Sequence, residues 1–227
     1  MRARNNPART ERSATTRNKI IQVAVKLFAE RGIEGVSLND INKAAGQRNK
    51  NATHYHFGSK EGLLQAILDK HEPPIAKRRD QLLDEFEAQG DLTLRKVLRA
   101  VMQPMVEKLD DPDGGADFVR FSAHLVITHT MAALHLNAPT FRIHSVERIA
   151  QALDQQLGPL TPSVKFHRGI MLGVFLTHGL AEHSRLRDTA SPGADINQMT
   201  ELFVSNLEDC LTAMMQAPVS EQTRALL

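Results

Sequence analysis

The chain has 227 residues, is 41% hydrophobic and 24% charged, and carries one cysteine and no tryptophan. That balance suits a soluble globular protein of one or two domains. It excludes an intramolecular disulfide, and no apolar run approaches the ~18 residues of a membrane helix. The net charge of +2 hides a division: residues 1–60 hold 12 Lys/Arg against 4 Asp/Glu, and residues 61–227 hold 16 against 22. A basic front end on an acidic remainder points to a polyanion-binding part joined to a part with another task.

Residues 1–12 are polar and Arg-rich, with almost nothing to bury, and read as a disordered basic arm. With Arg17, its arginines read as a solubilising, diffusely attractive tail, minor-groove contact being the alternative. The absence of an apolar core in the first 19 residues argues against a secretory signal, so a cytoplasmic protein is expected. Residues 13–31 form an amphipathic helix with Ile20, Ile21, Ala24, Leu27 and Phe28 at helical spacing and Gly32 as C-cap. Ser37 and Asp40 form a capping box that opens a second helix over 37–45. Gly46 breaks it, and residues 48–56 are predicted as a third short helix ending near Phe57-Gly58.

Ser59 caps a fourth helix from Lys60 to about Ala88, where Pro73-Pro74 predicts a kink or short break. Further helices are expected over 92–108, with Pro104 as a second candidate kink, then 116–136 and 139–157. The last two are expected over 163–187, started by Pro162, and 195–216. No strand pattern and no repeat appears. The expectation is an all-α protein of about nine helices: a helix-turn-helix unit over 13–58, a helical body over 59–217 and a tail over 218–227.

Helix, glycine turn and short polar helix in succession are what a major-groove reader requires. On the third helix Arg48, Asn49, Lys50, Asn51, Thr53 and His54 are predicted to be exposed. Arg and Lys suit guanine, Asn suits adenine and Thr suits the thymine methyl. Ala52 and Phe57 are expected to pack inward.

The run LFAERGIEGVSLNDINKAAG followed by THYHFGSKEGLL resembles the DNA-binding domain of the TetR family of bacterial transcriptional repressors, over roughly residues 15–68. The ending Tyr55, Phe57, Ser59, Lys60, Glu61, Leu63, Leu64 is its most specific part. The resemblance implies a homodimer on double-stranded DNA, with Ser37, Tyr55 and Lys60 at phosphates, and His56 either at phosphate or packed in the turn. From Gly46 to Phe57 this chain carries one residue more than the family pattern, either in the turn or in the reader's first turn. One residue rotates a helix by ~100°, so base-reading positions do not transfer singly.

By the same resemblance the body binds a small apolar ligand and dimerises through helices 163–187 and 195–216. Gly169, Gly173 and Gly179 would allow close approach of a partner helix. Apolar wall candidates are Met105, Phe118, Phe121, Leu125, Met131, Phe141, Met171 and Phe175. Polar candidates are His124, Thr128, His129, His144 and His178. The pairs His124/His129 and His178/His183 are five apart, which misses the three- or four-residue spacing two metal ligands on one helix face prefer. No metal and no cofactor is expected. Cys210 falls on an apolar stripe and reads as a small buried side chain. No Ser-His-Asp order, phosphate loop, HExxH or paired-carboxylate arrangement suggests an enzyme. The alternative to a ligand-responsive repressor is a DNA-binding regulator, or an architectural protein, without a ligand.

Overall fold

A computed structural model describes residues 7–49, 51–90, 92–129, 141 and 146–227, the side chains of 7–12 and 146 excepted. The described residues hold ten helices and no strand. They are α1 (Pro7–Arg31), α2 (Leu38–Ala44), α3 (Ala52–Phe57), α4 (Lys60–Ala88) and α5 (Leu94–Lys108). There follow α6 (Gly115–Thr128), α7 (Val146–Gln156), α8 (Pro162–Asp188), α9 (Ile196–Gln216) and the single turn α10 (Glu221–Arg224).

The first helix begins six residues before the expected Ser13, so the basic arm is helical from Pro7. Proline at the first helical position loses no intrahelical bond, and extending a nucleated helix needs no burial of its own. Arg17 is not part of a free tail either: its guanidinium lies 5.1 Å from the centre of the Phe57 ring. At the other end of α1, Gly32 adopts φ +75°, and its N–H reaches back to the Phe28 carbonyl at 2.9 Å.

Neither proline pair nor single proline stops a helix. Pro73 and Pro74 lie inside α4 and face solvent, and the carbonyls they deprive of donors belong to the outward Asp69 and Lys70. α5 likewise runs through Pro104. By contrast α6 ends at Thr128, with His129 as C-cap, well short of Leu136. Residues 130–140 and 142–145, and with them Met131 and His144, lie outside the described residues.

Among the described residues one large apolar core joins most helices, and a smaller cluster holds Leu82, Leu83, Ala100 and Ile149. The large core joins Ile20, Phe28 and Ile41 of the first helices to Leu63 and Ile67 of α4, then to Phe118 and Phe121 of α6, and on to Leu176 and Leu211. Its centre is aromatic: Phe28, Phe121 and Phe118 follow one another at about 6 Å, and His71 stacks on Phe118 at 4.6 Å. This core continues across the expected boundary at Ser59.

α9 is held to its neighbours by charge. Glu208, 1% exposed, accepts from Arg99 of α5 at 2.6 Å, with Arg95 at 3.6 Å. The buried Arg168 of α8 donates to the Met215 carbonyl at 2.5 Å and to the Ala217 carbonyl, covering the end of α9. Leu207, Leu211 and Met215 take the inward stripe, so Cys210, one position off it, is exposed rather than buried. Gly179 meets Phe203 and Leu207 of its own chain at 3.6–3.7 Å from where a Cβ would stand, so its close approach is intrachain.

Candidate nucleic-acid interface and body cavity

The front end is built around α2. Ser37 accepts from the Asp40 N–H and donates to the Asp40 carboxylate at 2.6 Å, while the same carboxylate takes the Ser37 N–H at 3.0 Å. These bonds hold the Asp40 carboxyl below the usual range. Gly46 at φ +67° turns the chain, and the Gln47 N–H returns to the Asn42 carbonyl at 2.9 Å. The Asn51 N–H then donates to Asn49 Oδ1 at 3.0 Å, and α3 starts at Ala52. Asn42 crosses the turn: its Oδ1 accepts both the Thr53 N–H at 3.0 Å and the Thr53 hydroxyl at 2.6 Å. A concavity of about 390 Å³ between α2 and the turn is lined by Asn39, Asn42, Lys43, Gln47 and Arg48.

Beyond the turn, Tyr55 is 76% exposed and lies edge-on to His56, 5.2 Å between ring centres. His56 is half-buried, and burial followed by the neighbouring Arg17 lowers its pKa. Ser59 caps α4 through the Gly62 N–H at 3.1 Å, and Lys60 stands at the first position, its ammonium 6.0 Å from the centre of the Phe28 ring.

The body holds a cavity of about 300 Å³, partly open to solvent, between α4, α5, α6, α7 and α8. Its wall is largely apolar: Leu68, Val101, Met105, Leu125, Val126, Leu153, Leu172 and Leu176, with Ser122 and Thr177 as hydroxyls. Gly169 and Gly173 open one side. Glu72 and Arg79 line it from α4, both buried, and burial pulls the Arg79 pKa down against the attraction of Glu72 and Asp80.

Residues 20–67 match the family described as bacterial regulatory proteins, tetR family. Over that segment the chain is similar to the TetR family. It is 32% identical over 91 residues to the HTH-type transcriptional regulator AcrR of Shigella flexneri, covering 40% of this chain and 42% of that one. It is 35% identical over 100 residues to the HTH-type transcriptional regulator TtgR of Pseudomonas putida, covering 42% and 45%. The chain thus spans less than half the length of these curated relatives. NalD of Pseudomonas aeruginosa, the secondary repressor of a multidrug efflux pump, superposes over 86% of this chain and 96% of its own at TM-score 0.44 and 18% identity.

The third helix is shorter than the expected 48–56. Its helix has six residues, so Arg48 and Asn49 belong to the turn, Asn51 is the N-cap, and Lys50 lies outside the described residues. Within the turn, the Gln47 side-chain amide donates to the Ala45 carbonyl at 3.3 Å and Asn49 accepts the Asn51 N–H. Arg48, Asn49, Asn51, His54 and Tyr55 are exposed, and Ala52 packs inward as expected. Thr53 is fully buried on Asn42 and faces no base. The Ser37 hydroxyl hydrogen is committed to Asp40.

The ligand candidates divide differently. Leu125 and Met105 line the cavity. Phe118 and Phe121 are fully buried in the aromatic core against His71 and Phe28 instead. Phe141 is buried against His129, and His124 sits over Gly32, bonded to the Ala29 backbone. Thr128 is exposed and bonds back to the His124 carbonyl at 2.8 Å. Met171 and Phe175 point outward, because Leu172 and Leu176, ~100° further round the helix, take the cavity side. His178 is half-buried on α8 and is not among the lining residues. Glu72 and Arg79 were missed; their signal is the stripe Leu68, Glu72, Ile75, Arg79, Leu82, where charges occupy core positions.

Proposed function

We propose that this chain is a sequence-specific DNA-binding transcriptional regulator that acts as a homodimer and represses until a small, largely apolar ligand enters the body. The observation that carries the reading is the exposed set Arg48, Asn49, Asn51, His54 and Tyr55 on a turn and helix fixed to a capped support helix. Those side chains suit base edges and phosphates, and the scaffold holds them in one register. Lys60 adds support: a cation at a helix N-terminus opposes the helix dipole, and nearby phosphate would offset that cost.

The remaining parts fit the same reading. Met171 and Phe175 of α8 and Leu202 of α9 leave large apolar side chains exposed, in keeping with dimerisation through these helices. The cavity supports the ligand-responsive reading over a ligand-free one, since a body without a regulatory ligand needs no opening of this size. A ligand seated between α4 and α8 would bias the separation of two readers mounted on α4. None of the described helices is long and apolar enough to cross a membrane. Such a protein works in the cytoplasm, with no cofactor or metal, and is not an enzyme.

The test is selection of sites from random duplex DNA, followed by titration of the best site at two salt concentrations. A palindrome whose half-sites lie one helical turn or more apart is the expected result. Weak, sequence-blind binding lost steeply with salt would overturn the reading.

A further inference from the structure

The reader helix does not cap itself. Its N-cap residue, Asn51, makes no side-chain bond to the helix, and six residues are too few for a helix to persist alone. The Thr53 N–H, one of the first-turn donors that normally needs a cap, is taken by Asn42 from the support helix. Asn42 is 4% exposed and Thr53 fully buried, so both bonds are shielded from water. Asn42 also stands where an apolar residue would be expected, beside the fully buried Ile41 and Ala45.

We infer that Asn42 is the positioning residue for DNA readout, capping the reader from outside and fixing its rotation. This rests on the DNA-binding reading above. One oxygen that receives a backbone and a side-chain donor of the same residue fixes both the height and the rotation of that residue. His54 and Tyr55 follow Thr53 directly, so their directions are set by it. Such an anchor fixes where the helix starts, because Thr53 is its second residue. A buried polar pair in a core is a costly way to gain stability and a good way to specify register.

The experiment uses the full chain with the substitutions Asn42→Ala, Thr53→Val and Thr53→Ser. It reads three quantities: affinity for the selected site, affinity for unrelated duplex, and melting temperature. Thr53→Ser keeps both bonds and is expected to keep the parental ratio of specific to non-specific affinity. Asn42→Ala and Thr53→Val are expected to lower that ratio by about tenfold or more, the loss that follows when a buried bond is broken. Non-specific binding should stay within about twofold, because it draws on surface cations the pair does not touch. Thr53→Val changes little volume and is the deciding variant if Asn42→Ala does not fold. An unchanged ratio in Thr53→Val overturns the inference, as does a loss in Thr53→Ser equal to that in Thr53→Val. Absence of sequence preference in the parent chain overturns the DNA reading and this inference together.

Discussion

The two ends of the molecule bury polar side chains for different purposes. In the front end one neutral pair, Asn42 and Thr53, is enclosed between two short helices and satisfied at 2.6 and 3.0 Å. In the body most of the buried polar groups described are charged, Glu72, Arg79, Lys108, Arg168 and Glu208, with His71, His183 and Ser184 beside them. Neutral amide and hydroxyl cost little to desolvate once bonded and impose direction, which suits a reader. Charges cost far more and persist where partners hold them or where a cavity needs polarity. The front end is organised for a fixed geometry, the body for holding helices around a space.

The aromatic core between the two is where that difference breaks down, and the largest effect is expected there. Phe118→Ala should destabilise the whole chain by about 3–5 kcal/mol, since the ring is fully buried between His71 and Phe121. One unfolding transition by two probes, one near each end, would agree with a shared core. Two separated transitions would mean that front and body fold independently.

His71 sharpens the comparison through pH. It is buried against Phe118, and burial, reinforced by Lys108 and Lys70, lowers its pKa from 6.5 to about 4, against the opposing pull of Asp113 and Asp111. The folded imidazole thus takes up a proton less readily than the unfolded one. Stability is full above about pH 6.5 and falls towards pH 4 as the unfolded chain is protonated first, by on the order of 3 kcal/mol. His71→Phe preserves an aromatic stack and should flatten this part of the stability profile in chemical denaturation. An equal slope in the variant would place the acid sensitivity elsewhere.

At the surface the effects are smaller and concern binding. Lys60→Ala should weaken binding to all duplexes alike and reduce the slope of log affinity against log salt by about one. A change of preferred sequence instead would move Lys60 from phosphate to base edge.

Much of the front end was legible because its signals are local. The Ser37–Asp40 capping box, the turn at Gly46 and the Ser59 cap each lie within a few residues and appear where expected. The reader's start was not, because an extra residue between Gly46 and Phe57 fits either turn or helix, and the bond that decides it spans eleven positions. For the body, helix order was readable from spacing and most termini from Pro and Gly. Which face of each helix meets the cavity was not. Phe118 and Leu125 share a broad apolar surface on α6, and only the packing of α1 and α4 sends one to the core and the other to the wall. Pro73-Pro74 suggested a break in α4, which hid the stripe on which Glu72 and Arg79 sit.

Gly169 offers the smallest effect and the most direct probe of the body's purpose. A Cβ added there meets no atom within 4 Å outside its own helix backbone, and the residue lines the cavity from the first third of α8. Glycine inside a helix is disfavoured relative to alanine, so Gly169→Ala should stabilise the chain by about 0.5–1 kcal/mol, a rise of a few degrees in Tm. The glycine leaves space on that side of the cavity. Gly169→Leu should fill that space: an apolar fluorescent dye that binds the parent chain should lose affinity, while DNA binding stays at the parental level. Dye binding that survives leucine at this position would put the ligand outside the cavity. Loss of DNA binding with a filled cavity would mean that occupancy itself, by side chain or ligand, releases the operator.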